Sequence, residues 1–351
     1  MAYTTIDDPS AYFQTTLYTG DGGGTRAVTH GGNSDLNADW VWIKDRGTSS
    51  THYIFDSVRG VQKHLSSASN SQELSDANSL KAFNSNSFTL GTSGNVNGNS
   101  RTFVSWNWKA GTSFTNDASS TGIGDIDSDG SVSATAGFSI AKFTTTGSSV
   151  QTVAHGLGSI PDMYIVKGRA NGTSWFVYHK DIGNTHYLKL NASEAKTDNP
   201  MWGDTSPTST VFSINPDNFG ATTSIGYFFK SIKGYSKFGS YVGNGNADGT
   251  FVYTGFKPAF VLLKHSSGGT DNWNLYDNKR LGYNANYSFL IPNESNAENT
   301  GATTAPLDLL SNGFKIRAST GHSNSSGETY IYMAFAKNPF TSSTGTPVTA
   351  R

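Results

Sequence analysis

One strand–turn–strand phrase is written three times along this chain, and that repetition limits the fold more than any other feature. Phe256–Asp277 reads FKPAFVLLKHSSGGTDNWNLYD. A proline near its start is followed by the apolar run Ala259–Leu263. Lys264 ends that run, Gly268–Gly269 turns the chain, and Trp273–Tyr276 returns. Proline is tolerated at the start of a strand but not in its middle, and paired glycines supply the backbone angles of a turn. Pro161–His179 (PDMYIVKGRANGTSWFVYH) and Ala38–Asp56 (ADWVWIKDRGTSSTHYIFD) repeat the phrase. The separations from lysine to the closing polar residue are 12 (Lys44 to Asp56), 12 (Lys167 to His179) and 13 (Lys264 to Asp277). Each copy is followed by a Phe-centred strand (Ser87–Leu90, Val211–Ile214, Gly313–Ile316) and then by an aromatic strand (Phe103–Trp108, Ser224–Phe229, Tyr330–Phe335). Each is preceded by an aromatic strand running into a glycine turn: Tyr12–Gly20, Phe138–Gly147 and Phe238–Gly245.

The reading that follows is an all-β protein of three tandem β-sandwich, jelly-roll-like repeats of about 100 residues, a common domain size. Its expected parts are an N-terminal arm at 1–11 and repeat 1 at 12–110. A polar linker at 111–136 leads to repeat 2 at 137–236, repeat 3 at 237–340 and a C-terminal tail at 341–351. The short join between Phe229 and Phe238 predicts that repeats 2 and 3 pack rigidly, with more freedom for repeat 1. A helical turn is expected near Gln72–Asn78.

Composition supports this reading and removes several function classes. Charged residues are 15% of the chain, against roughly 25% in ordinary soluble proteins. The 13% aromatic content supplies the buried surface that disordered chains lack. A net charge of −1 gives no electrostatic reason to bind nucleic acid or an anionic membrane. No apolar run approaches the roughly 20 residues that span a bilayer, so no membrane insertion is expected. The opening MAYTTIDDPS has neither the basic nor the apolar segment of a secretory signal. With no cysteine, disulfides and thiolate chemistry are excluded.

Catalytic motifs are absent from the sequence. There is no Gly-Lys dipeptide for a phosphate loop, no His-Glu-x-x-His and no Gly-x-Ser-x-Gly. Asp125, Asp127 and Asp129, closed by Gly130, match the start of a calcium loop. The position of the bidentate glutamate, however, is Ala136, and a solvated linker is the expectation. Asp56 and Asp277 hold equivalent positions in different repeats, which suits strand ends better than a pair of glycosidase carboxylates. His30 and His155 each precede a glycine and read as turn residues. Trp40, Trp42, Trp106 and Trp108, spaced two apart, read as core. If the chain binds sugar, Tyr53, Tyr187, Trp202 and Tyr283 are the candidate ligand-binding aromatics, expected exposed in loops.

The strings FDSVRG (55–60), SFTLG (87–91), WNWKAG (106–111), KGYSKFGSYVGNGNADGTFVYTGFKPAFVLLK (233–264), SNGFKIR (311–317) and YIYMAFAKNPF (330–340) resemble a family of tailed-bacteriophage proteins abundant in marine phages. The resemblance covers nearly the whole chain. It implies a non-enzymatic virion protein on the particle exterior, at the tail or capsid surface, with tail-fibre-like or lectin-like β-sandwich domains. The expected role is a structural one, as tail-associated adhesin or capsid decoration. The alternative is a carbohydrate-binding module for host attachment. Expected partners are other virion proteins, further copies of the chain and a host-surface glycan, with no cofactor.

Overall fold

The strand–turn–strand phrases become antiparallel pairs at the heart of three sheets. In a computed structural model, which describes residues 3–147, 149–281, 283–300, 305–319 and 321–348, the protein is built almost wholly of antiparallel sheet. Unit 1 places Phe13–Thr19, Thr102–Trp108, Trp40–Asp45 and Tyr53–Asp56 side by side in that order. The same order recurs as Phe138–Thr144, Thr223–Phe229, Met163–Gly168 and Trp175–His179 in unit 2. It recurs again as Ser236–Val242, Thr329–Pro339, Phe256–His265 and Asn274–Asp277 in unit 3. A smaller sheet covers the outer face of each: Arg26–Thr29, Ser87–Leu90 and Leu80–Asn84 in unit 1. Its counterparts are Gln151–Ala154 with Val211–Ile214, and Phe251–Tyr253, Gly313–Ile316 and Leu307–Leu310.

Successive side chains on a strand point to opposite faces, and each central strand uses both faces for core. Val41 and Ile43, Tyr164 and Val166, and Val261 and Leu263 point outward into the private core of their own sandwich. Trp40 and Trp42, Met163 and Ile165, and Phe260 and Leu262 point the other way, into one core shared by all three units. In that shared core Trp40 stacks on Tyr227 at 4.7 Å and Phe13 on Phe335 at 5.2 Å, while Phe229 meets Phe335 edge-on at 6.3 Å. Trp106 and Trp108 lie there as well, fully buried. The three inner sheets thus wall a single aromatic interior.

Three seams close the ring. Trp175 Nε1 donates to Ser66 O (2.7 Å), Trp273 Nε1 to Lys189 O (2.9 Å), and His52 Nε2 pairs with Ile291 O (3.1 Å), so each unit reaches the one before it and unit 1 reaches unit 3. Trp42 Nε1 donates to His52 Nδ1, so the proton of the ring sits on Nε2 and is the one given to Ile291. Beside these contacts run main-chain bonds from Glu73 N to Arg169 O (2.8 Å), Lys196 N to Ser266 O (3.1 Å) and Glu298 N to Arg46 O (2.8 Å). The lysine that ends each apolar run is also buried at the seams. Lys44, Lys167 and Lys264 donate to main-chain carbonyls, including Asn70 O from Lys167 and Ser193 O from Lys264, across unit boundaries. Burial lowers all three to about 8.

Two seams carry a buried chain of charge. Asp56 accepts from Arg59 Nε and from Tyr227 Oη of unit 2. Arg59 reaches Glu73, and Glu73 receives both Arg169 Nε and Nη2 at 2.9 Å across the boundary. Asp277 accepts from Arg280 Nε (2.6 Å) and from Trp106 Nε1 of unit 1 (3.1 Å). Arg280 reaches Glu298, which pairs with Arg46. In the remaining seam every corresponding position differs: His179, Ile182, Lys196, Ser266 and Met333. A buried carboxylate without its guanidinium is strongly unfavourable, and the remaining seam holds neither group at these positions. The chain therefore keeps the network complete or omits it entirely.

Several expectations need correction. Residues 111–136 are not a free linker. Thr112–Asn116 and Ser128–Ser133 are strands that extend the unit 2 sheet, with Ser131 opposite Ile140. Their few apolar side chains, Phe114, Ile126 and Val132, pack on the unit 2 core, which is why so polar a segment is held. Gly130 is required there, because a Cβ would lie 1.8 Å from Ile140 O. Residues 72–78 form no helix; Leu74–Ser75 is a short strand paired with Lys63–His64. Unit 1 is not loosely attached, being sealed on both sides by the seams above. The N-terminal segment docks within the chain: Ile6 enters the shared core and Tyr3 Oη donates to Gly255 O.

Candidate functional site

Most of the sequence-predicted aromatics lie in core. Tyr53 lies on a strand of unit 1 and faces its private core against His64. Tyr187 packs on Phe176, and Trp202 is fully buried against Tyr164, donating Nε1 to His186 O. Tyr53 and Tyr187 belong to core because they sit at inward-facing positions of the strands Tyr53–Asp56 and His186–Lys189, and Trp202 because its turn folds over the outer face of the sandwich. Tyr283 is 67% exposed, as expected of a ligand-binding side chain.

Tyr283 stands over a trough that runs along unit 3 to its boundary with unit 1. One hollow of about 150 Å³ is lined by Lys257, Asn278, Tyr283, Asn286, Leu309 and Lys337. Asn278 and Lys337 also line a second hollow of about 150 Å³, where Asp8, Gln14, Gly32 and Lys279 meet. At the other end Asn284 opens into a shallow region of about 420 Å³ with Tyr287, Asp308 and Arg317. A bulge explains why this trough belongs to unit 3. The register between Phe256–His265 and Thr329–Pro339 slips on either side of Pro258, which has no N–H to give, and Lys337 has no partner opposite it and stands exposed. In units 1 and 2 the same strand pair runs without interruption. The loop bearing Tyr283 is pinned by Asn284, which accepts from Leu309 N (2.9 Å) and donates to Leu309 O (3.1 Å), and by Asn286, which donates to Asp277 O (2.9 Å).

The trough is positive and rich in hydrogen-bonding groups. Lys257, Lys279 and Lys337 form no ion pair among the described residues. Its acids are engaged: Asp308 pairs with Arg317, and Asp8 accepts from Ser10 and Ser34. Burial opposes ionisation of Asp8, but these hydrogen bonds outweigh it and hold the carboxyl below its usual range. The arrangement offers an aromatic face, free ammonium groups and amides to a hydroxylated or anionic ligand.

The other candidates are structural. Asp125 accepts from the Thr152 amide and hydroxyl (2.7 Å each), which lower its pKa; Asp127 accepts from Ala118 N, and Asp129 pairs with Lys142. They border a hollow of about 710 Å³ with Asp117, but their carboxylates are spent on separate protein partners. Among the described residues no three His, Asp or Glu side chains are arranged to hold a metal ion. His30 and His155 are buried, and burial lowers both to about 4. They are neutral core-edge residues rather than open turn positions. Asp56 and Asp277 are the anchors of the two charge chains. The sequence carried a sign of these chains that position alone did not exploit: Asp-x-x-Arg occurs at 56–59 and 277–280 and is missing at 179–182.

No helix among the described residues is long and apolar enough to cross a membrane. No curated protein and no solved structure matches the chain. Residues 8–339, which include all three sheets and the trough, match the family described as Domain of unknown function (DUF7483), and the chain belongs to that family.

Proposed function

We propose that this chain is a non-catalytic structural protein of the exterior of a bacteriophage particle, at the tail or as a capsid decoration. The observation that supports the reading best is the closed ring: three sandwich units around one shared aromatic core make a rigid pseudo-trimer from one polypeptide. Such a body suits threefold or quasi-threefold positions of an assembly, where a single chain meets three equivalent neighbours. The resemblance of several of its strings to tailed-phage proteins supports the same reading. Cryo-electron microscopy of purified virions with mass-spectrometric stoichiometry tests it. One chain centred on each threefold position is the expected result, and absence of the protein from purified particles removes the proposal.

A second reading, attachment to host-surface carbohydrate, rests on the trough beneath Tyr283 with its free lysines and amides. Saturation-transfer NMR with host lipopolysaccharide tests it. Contact at Tyr283 supports the reading, and contacts confined to other surfaces count against it.

A further inference from the structure

The three units serve as controls for one another, and one difference between them goes beyond what sandwich packing requires. The edge strand of each outer sheet sets a buried valine opposite a buried phenylalanine: Val28 on Phe88, Val153 on Phe212 and Val252 on Phe314. The residues flanking that valine are Ala27 and Thr29 in unit 1, and Thr152 and Ala154 in unit 2. In unit 3 they are Phe251 and Tyr253, 44% and 49% exposed, while Val252 between them is 6% exposed. Two large rings therefore stand on the outer face where the fold elsewhere needs only small side chains. Gly313 on the paired strand is required by the main chain, because a Cβ there would lie 2.1 Å from Val252 O, and the bare position also leaves room for the Phe251 ring at 3.2 Å.

Cations flank the pair. Lys237 Nζ lies 5.3 Å from the Tyr253 ring centre, and Lys233 Nζ lies 4.5 Å from that of Tyr3, whose hydroxyl is 3.3 Å from the Tyr253 hydroxyl. Neither lysine has an ion pair among the described residues. The main chain beside the rings is capped at two of its carbonyls. Lys237 Nζ donates to Tyr253 O (2.6 Å) and Tyr3 Oη to Gly255 O (2.7 Å), a capped edge of the kind that resists strand addition. What remains on offer is two ring faces about 7 Å apart along the strand, with ammonium groups beside them.

We propose that Phe251 and Tyr253, with Lys233 and Lys237, form a platform for an acidic glycan, separate from the trough. Successive pyranose rings stack their apolar faces on the two side chains, and the lysines meet carboxylate or sulfate groups. Strand addition is disfavoured by the capped carbonyls, and neutral sugars leave the lysines unused.

The test is titration of the full chain with alginate, polygalacturonate, hyaluronan and dextran sulfate oligosaccharides, with cellohexaose as the neutral control. Binding is read by calorimetry and by ring signals in NMR. Phe251 and Tyr253 signals are expected to move with at least one acidic oligosaccharide and much less with cellohexaose. The double variant Phe251→Thr with Tyr253→Ala, which copies unit 2, is expected to bind at least about tenfold more weakly with an unchanged melting temperature. Added salt should weaken binding, and Tyr283→Ala should not, which separates this site from the trough. Ring signals unmoved by every acidic oligosaccharide, or unchanged binding by the double variant, overturn the proposal. So does self-association of the wild type that the double variant abolishes, because the rings would then be a contact between copies.

Discussion

Removing Arg280 should damage this protein far more than removing the whole network to which it belongs. Asp277 is fully buried, and its partners are Arg280 Nε, the main-chain amides of Lys279 and Arg280, and Trp106 Nε1. Arg280→Ile keeps the amides and the indole but leaves the buried Asp277 carboxylate without its guanidinium, while Glu298 retains Arg46. Breaking a buried pair in this way costs about 3–5 kcal/mol. If the 351 residues melt as one cooperative body, the unfolding entropy is roughly 0.7 kcal/mol/K, and the melting temperature falls by about 5 °C. The partner experiment copies four of the five positions of the seam that lacks the network, combining Arg46→Ser, Asp277→His, Arg280→Ile and Glu298→Lys with Trp106 kept. Replacing a buried ionic set as a whole is close to neutral, so the fourfold variant should lie within about 2 kcal/mol of the wild type. Guanidinium denaturation followed by tryptophan fluorescence reads both. The reasoning fails if Arg280→Ile loses less than about 1 kcal/mol, or if the fourfold variant is less stable than the single one.

Other expectations follow from burial. Burial lowers His30, His155 and His179 to about 4 and pushes His52 well below the usual range. The unfolded chain takes up these four protons near pH 6.5 and the folded chain does not, so stability should fall as pH drops from about 6.5 toward 4. The slope reaches about 1.4 kcal/mol per pH unit for each histidine, and denaturant midpoints that stay flat between pH 7 and 5 contradict it. The opposite limb belongs to Lys44, Lys167 and Lys264: lowered to about 8 by burial, they bind protons less well folded than unfolded, so stability should rise from pH 8 toward 10. A fall across that range at constant ionic strength excludes them as the controlling groups. Trp202→Ala should cost about 3–5 kcal/mol, whereas Tyr283→Ala should change stability by less than about 0.5 kcal/mol, both read by thermal melts. Millimolar calcium should leave the melting temperature unchanged, and a rise abolished by Asp129→Asn reinstates a metal site.

Periodicity made the architecture legible. Apolar runs around Val41, Tyr164 and Val261 placed the strands, and repetition of the spacing from lysine to the closing polar residue placed the sheets in equivalent settings. The tryptophans read as core because unit 3 sets Phe260, Leu262, Met333 and Phe335 at the matching places. Exposure of single aromatics was not legible, since Tyr53 and Tyr187 lie on short strands flanked by polar residues and Trp202 on a polar turn that folds inward over the sandwich. The linker failed for a related reason: Ser128–Ser133 pairs through its main chain, which leaves little trace in side-chain composition. The trough depended on a register slip around Pro258, and the meeting of units 1 and 3 is a tertiary event with no local signal. The charge chains were half visible, as a motif present in two copies and absent from the third.

The shared core also sets an order of events during synthesis. The Trp40, Trp42, Trp106 and Trp108 face of unit 1 leaves the ribosome long before Phe260 and Phe335, which cover part of it. At ordinary elongation rates the interval from Trp108 to the strand at Thr329–Pro339 is roughly 10–45 s. For that time a sheet with four indoles on one side waits for its last neighbour. A second nascent chain can supply the same surface, so swapped rings are the natural misfolded product at high expression. The first unit made is thus the last one buried, and crowding on the polysome, more than any single residue, should decide the yield of closed monomeric rings.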